Sequence, residues 1–134
     1  MDLSFYVNKP SDVVFDYLTD MQKLITVHPV IFKIDPITAN HYLVFEKLRF
    51  AFIPVTFTYT VEVSHNFAEK SVVITGNVKN RIKIEMNYRL LPEGLGTRVN
   101  ETVLFQSRWP VKRMMSMIFR KQHKQLFKTI NDVG

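Results

Sequence analysis

A chain of 134 residues, 46% hydrophobic and 22% charged, is long enough to bury a core without disulfide or metal staples. It has no cysteine, which excludes disulfides, thiolate nucleophiles and cysteine-ligated zinc. The net charge is +6, yet seven of the basic residues (Arg108, Lys112, Arg113, Arg120, Lys121, Lys124, Lys128) fall in one stretch without Asp or Glu, and the remainder is close to neutral.

In chain order, residues 2–7 alternate and predict a short strand. Asn8-Lys9-Pro10-Ser11-Asp12 then supplies helix-start chemistry, because Pro is tolerated in a first turn and Asp12 suits the positive helix end. Val13, Val14, Tyr17, Leu18 and Met21 follow at helical spacing, with Asp12, Asp16 and Asp20 as an acidic stripe. A break near Asp20 and a second helical piece to about Val27 are expected, and His28-Pro29 ends it. Strands are predicted over Val30–Asp35, closed by Asp35-Pro36, and over residues 41–52, closed by a turn at Ile53-Pro54. Residues 55–63 alternate without a fault; residues 71–78, 81–91 and 97–107 complete the set, the last two joined by Pro92-Glu93-Gly94-Leu95-Gly96. Trp109-Pro110 opens a final helix to about Asn131. At 100° per residue, Val111, Met114, Met115, Ile118, Phe119, Gln122, Gln125, Leu126 and Thr129 fall on its inner arc. Arg113, Arg120, Lys121, Lys124 and Lys128 fall on the opposite one.

This order predicts one α+β domain over residues 1–134, a curved seven-stranded antiparallel sheet wrapped around a long C-terminal helix. Three segments resemble the START-like superfamily, also called SRPBCC or helix-grip, which includes the birch pollen allergen and polyketide cyclases. They are residues 9–29, where a Pro precedes an apolar Val-Phe helix, an Asp and a later Pro; residues 94–105, Gly-Leu-Gly-Thr-Arg-Val-Asn-Glu-Thr-Val-Leu-Phe; and the long last helix. The resemblance covers essentially the whole chain. It implies a cavity between sheet and helix that takes lipids, sterols, hormones or polyketides, and in some members cyclase activity.

No phosphate-binding glycine loop, His-Glu-x-x-His or Gly-x-Ser-x-Gly is present, and the four histidines are scattered, so neither a metal nor a cofactor is expected. Glu46 and Glu101 share strand parity with apolar neighbours; facing a cavity, each would be a candidate acid or base through desolvation. Facing solvent, each would be an ordinary strand Glu with Arg49, Arg89 or Arg98 available. Phe57, Tyr59, Met86, Tyr88, Glu101, Trp109, Met114, Met115, Ile118 and Gln122 are the candidate ligand contacts. Eleven of the aromatics are Phe, which has no polar handle and favours a greasy interior.

The leading expectation is a non-enzymatic carrier or sensor of an apolar small molecule or lipid. A polyketide cyclase or dehydratase-like enzyme using Glu46 or Glu101 is the alternative, and a module docking an anionic membrane or acidic protein through Arg113, Arg120, Lys121, Lys124 and Lys128 is a third. Nucleic acid is not expected, since no aromatics interleave with the basic residues. With no basic-then-apolar leader at its start and no stretch near ~20 apolar residues, a cytoplasmic location is expected.

Overall fold

A computed structural model describes residues 1–50, 52–108 and 110–134. The elements run β1 (Asp2–Val7), α1 (Ser11–Thr19), α2 (Met21–Val27), β2 (Ile31–Thr38), β3 (His41–Phe50), β4 (Ile53–Asn66), β5 (Ser71–Val78), β6 (Ile82–Glu93), β7 (Gly96–Ser107) and α3 (Lys112–Asp132). All seven strands form one antiparallel sheet in the order β1-β7-β6-β5-β4-β3-β2, as the alternating segments and short connections imply.

Local chemistry explains the joints. Asp20 serves both helices: its N–H bonds the Asp16 carbonyl to end α1, and its side chain accepts from Gln22 N at 3.0 Å and Lys23 N at 3.3 Å to start α2. Such a cap is worth about 1 kcal/mol. The acidic stripe is therefore divided among separate tasks, since Asp16 pairs with Lys23 and Asp12 with Lys70. Lys79 and Asn80 both take positive φ, 52° and 56°, the conformation of the two central residues of a type I′ turn, which the Arg81 N–H closes on the Val78 carbonyl at 3.0 Å.

Two predicted strand ends need correction. Pro36 does not close β2, which continues to Thr38. Because β2 is a sheet edge, a residue lacking an N–H costs no ladder bond on its open side, and the register slips only between Pro36 and Thr38 at that end. Ile53-Pro54 does not form a turn either; both residues lie in β4, with Arg49 opposite Pro54 and Phe50 opposite Ile53.

α3 divides into two functional lengths. Its buried residues, Gln122, His123, Leu126, Phe127 and Ile130, all belong to the second half. There Phe127 stacks on Phe5 of β1 at 4.9 Å, and Asn131 Oδ1 accepts the Asn8 N–H at 2.6 Å. The first half keeps Val111, Met115 and Phe119 only partly buried against Ile82, Ile84 and Val103. One half is clamped into the core, and the other spans open space above the sheet.

Candidate ligand cavity

That open space is a cavity of about 300 Å³ between the concave sheet face and α3. Leu18, Met21 and Leu24 close one side, Ile34, Val44, Leu48, Val61, Val63 and Ile74 form the floor, and Val111, Met114, Met115, Ile118, Phe119 and Leu126 form the roof. Period-two alternation aims the floor residues inward: in β4, Val55, Phe57, Tyr59, Val61 and Val63 turn in while Thr56, Thr58, Thr60 and Glu62 are exposed. Among the described wall residues the polar side chains are His28, Glu46, Tyr59, Tyr88, Gln122 and His123, with no Lys or Arg.

These groups fall into two clusters. Glu46 stands opposite Phe57 in the β3–β4 register, so Tyr59, two residues on, is its diagonal neighbour. The Tyr59 hydroxyl donates to Glu46 Oε1 at 2.6 Å. Burial raises the Glu46 pKa, while the Tyr59 hydrogen bond pulls the other way. Burial, followed by the Glu46 charge, pushes the Tyr59 hydroxyl well above its ordinary value.

The second cluster joins β6, β7 and α3. Tyr88 is directly opposite Glu101, and His123 comes down from α3 so that Nδ1 lies 2.8 Å from Glu101 Oε1 and 2.6 Å from Oε2. Glu101 and His123 are 2% and 3% exposed, so this is a pair in a low-dielectric interior. One N–H can point at only one oxygen, and Oε2 has no directed hydrogen bond of its own among the described residues. Burial and then the neighbouring Glu101 hold the Tyr88 hydroxyl far above its ordinary pKa. The Tyr88 hydroxyl also points at Met86 Sδ at 3.7 Å.

His28 lies on the wall beyond α2. Its Nδ1 accepts the N–H groups of Val30 and Ile31 at 3.3 and 3.1 Å, which puts the ring proton on Nε2. Burial, with a smaller contribution from His123, pushes its pKa down to about 3, so the ring is neutral.

Of the sequence candidates, Glu46, Phe57, Tyr59, Met86, Tyr88, Met114, Met115, Ile118 and Gln122 lie on the cavity wall. Glu101 does not; it sits behind His123 and Tyr88. Trp109 falls outside the described residues. Gln125, expected on the inner arc, is exposed, because the helix face facing the core shifts to Gln122, His123, Leu126 and Ile130. None of the three arginines suggested as carboxylate partners meets Glu46 or Glu101: Arg98 is taken by Glu93 at 2.8 Å, and Tyr59 and His123 serve instead. His28 and His123 were not among the expected wall residues. His123 could have been found from its place beside Gln122 on the inner arc, whereas His28-Pro29 reads as a helix stop and nothing more.

Outside the cavity, Arg113, Arg120, Lys121, Lys124 and Lys128 are exposed along α3. No helix among the described residues is long and apolar enough to cross a membrane. Nor do the described residues include a group of three or more His, Asp or Glu that could hold a metal ion.

The model of one protein family, the CoxG family of carbon monoxide dehydrogenase subunits, matches residues 4–133. No curated protein matches the sequence. Solved structures with the same architecture include a conserved protein from Geobacillus kaustophilus, 16% identical, with a TM-score of 0.79 over 97% of this chain and 91% of that one. The Zhui aromatase/cyclase from Streptomyces sp. R1128 is 13% identical, with a TM-score of 0.73 over 97% and 89%. A START superfamily protein from Mycobacterium smegmatis is 13% identical, with a TM-score of 0.72 over 98% and 93%. At such identities the likeness is one of fold, and it is the START/SRPBCC-like helix-grip fold.

Proposed function

The chain belongs to the CoxG family of carbon monoxide dehydrogenase subunits, and from that premise we propose that it carries or senses one predominantly apolar, uncharged small molecule held between sheet and α3. The observation that carries this reading is the cavity of about 300 Å³ with an apolar wall interrupted by a few convergent polar groups, the usual make-up of a small-molecule site. Gln122 sharpens it. The residue is 9% exposed and lies on that wall, so its amide can offer a ligand's polar end both a donor and an acceptor.

The wall also selects charge. A carboxylate or phosphate head would enter a site holding Glu46, with Glu101 behind it and no Lys or Arg among the described wall residues. Desolvating an unpaired anion there is prohibitive, so a neutral amphiphile fits better than a fatty acid. Calorimetry with dodecanol and with dodecanoate at pH 8 tests this. The alcohol should bind at least about tenfold more tightly, and Ile118→Trp, which fills the roof, should abolish binding of both. Equal or tighter binding of dodecanoate would sink the reading.

A second reading is favoured by the mouth. The cavity wall includes Leu48 from the end of β3 and Met114 from the start of α3, so the β3–β4 hairpin and the helix start flank one end of the cavity. Phe52 is 94% exposed, Ile53 67% and Met117 71%, and Lys112, Arg113 and Arg120 are exposed along the first half of α3. Exposed apolar side chains together with basic ones suit an anionic bilayer, at about 1 kcal/mol per Lys or Arg near the surface. Sedimentation with anionic vesicles should capture the protein at low salt and release it as salt rises. Phe52→Asp combined with Met117→Asp should cut capture severalfold, and equal capture by zwitterionic vesicles would rule docking by charge out.

A further inference from the structure

We propose that His123, oriented by Glu101, is a hydrogen-bond acceptor that makes this cavity specific for a ligand hydroxyl, such as an alcohol or phenol, over the matching ether. The inference rests on the proposal that the cavity holds a neutral amphiphile, and it concerns which polar end that molecule carries.

The argument begins with the buried pair. An ionised carboxylate can only accept, so the 2.6–2.8 Å approach of His123 Nδ1 to Glu101 puts a proton on Nδ1. In a neutral imidazole the other nitrogen then carries a lone pair. Nε2 is the ring's remaining polar atom, the ring is on the cavity wall, and among the described residues Nε2 has no protein partner. Glu101 thus acts as a positioning residue: it is not on the wall, yet it fixes both the tautomer and the tilt of the ring that is.

The neighbouring groups sort by direction. Gln122 offers both a donor and an acceptor, so it tolerates either kind of ligand head. His28 has Nδ1 occupied by the Val30 and Ile31 N–H groups and presents only an N–H. The Tyr59 hydrogen is spent on Glu46. His123 Nε2 is therefore an acceptor without an alternative donor, and a ligand oxygen that brings a hydrogen satisfies it while the same oxygen can accept from His28 or Gln122. An ether or ketone of the same shape leaves Nε2 unpaired in a dry site, and sites built to bond a hydroxyl reject analogues that lack it.

The probes are 2-naphthol and its methyl ether, titrated by fluorescence into the full chain. Naphthol should bind about 10- to 100-fold more tightly than the ether. His123→Phe alone strands a buried carboxylate, so the informative variant is Glu101→Leu with His123→Phe, which removes both partners together. That variant should lose the naphthol preference and bind the two probes with similar affinity. In the parent, ¹⁵N spectra of the imidazole should report Nδ1 protonated and Nε2 bare, with the Nε2 resonance moving on addition of naphthol. A naphthol preference that survives in the double variant, or a free protein with the proton on Nε2, would overturn the proposal. Binding of naphthol and ether with equal affinity overturns it while leaving the carrier reading intact. If neither probe binds, both readings fall.

Discussion

His123→Ala is expected to lower the stability of the fold by about 3–5 kcal/mol, because it strips the Glu101 carboxylate of its partner inside the protein. The cost comes less from the lost attraction than from the charge left behind. Glu101 is 2% exposed, and the hydroxyl of its cross-strand neighbour Tyr88 is left as a neutral donor beside it. Urea denaturation at fixed pH measures the loss. Removing both partners, as Glu101→Leu with His123→Phe, should cost far less, since well-packed apolar replacements of a buried pair are often neutral or better. If His123→Ala costs under about 1 kcal/mol, the carboxylate has found water or lost its charge, and the interior is not as dry as the burial implies.

Acid should weaken the protein through His28. Its pKa is about 3 in the folded state against an ordinary 6.5. Above pH 6.5 the ring is neutral folded or unfolded, and it contributes no pH dependence. Between pH 6.5 and 3 the unfolded chain binds a proton that the folded one refuses, so stability falls as pH falls, by roughly 1.4 kcal/mol per unit. The total reaches up to about 5 kcal/mol before levelling off below pH 3. Glu46 works in the opposite sense: its raised pKa means the folded state holds a proton that the unfolded state releases above pH 4.5, so its contribution is lost as pH rises. His28→Gln separates the two, because the Gln carbonyl can still accept the Val30 and Ile31 N–H groups but cannot titrate. Denaturation midpoints across pH 3–7 should show a shallower acid slope in the variant; parallel curves would mean that the ring is already open to protons when folded.

Much of this architecture is legible in the sequence for a simple reason. Alternation in residues 55–63 and 97–107 records which side of the sheet each residue meets, and that side is set by burial. Strand parity put Glu46 on the face of Val44 and Leu48 without saying which way that face looks, and in the structure it is the inner one. Pairing was not legible, because parity says nothing of register: Tyr59 reaches Glu46 only after the β3–β4 turn has fixed Glu46 opposite Phe57. The helix failed differently. Carrying one arc at constant angle down its whole length put Gln125 inside and passed over His123. The first half of α3 roofs a cavity, but the second packs against β1, where Phe127 meets Phe5 and Asn131 meets Asn8, so the inward face is not the same stripe throughout. His28 was hidden by its neighbour, since Pro29 explains the helix end without giving the imidazole any task.

The pairing of β1 with β7 has a consequence for how the chain is made. Leu3 sits opposite Glu101 and Phe5 opposite Val99, so the first strand synthesised waits for the last before it has a neighbour. The hairpins from β2 to β6 can assemble meanwhile, but their concave face stays greasy and uncovered until α3 follows β7 off the ribosome. A nascent chain stalled before residue 112 would thus present that face to any chaperone within reach.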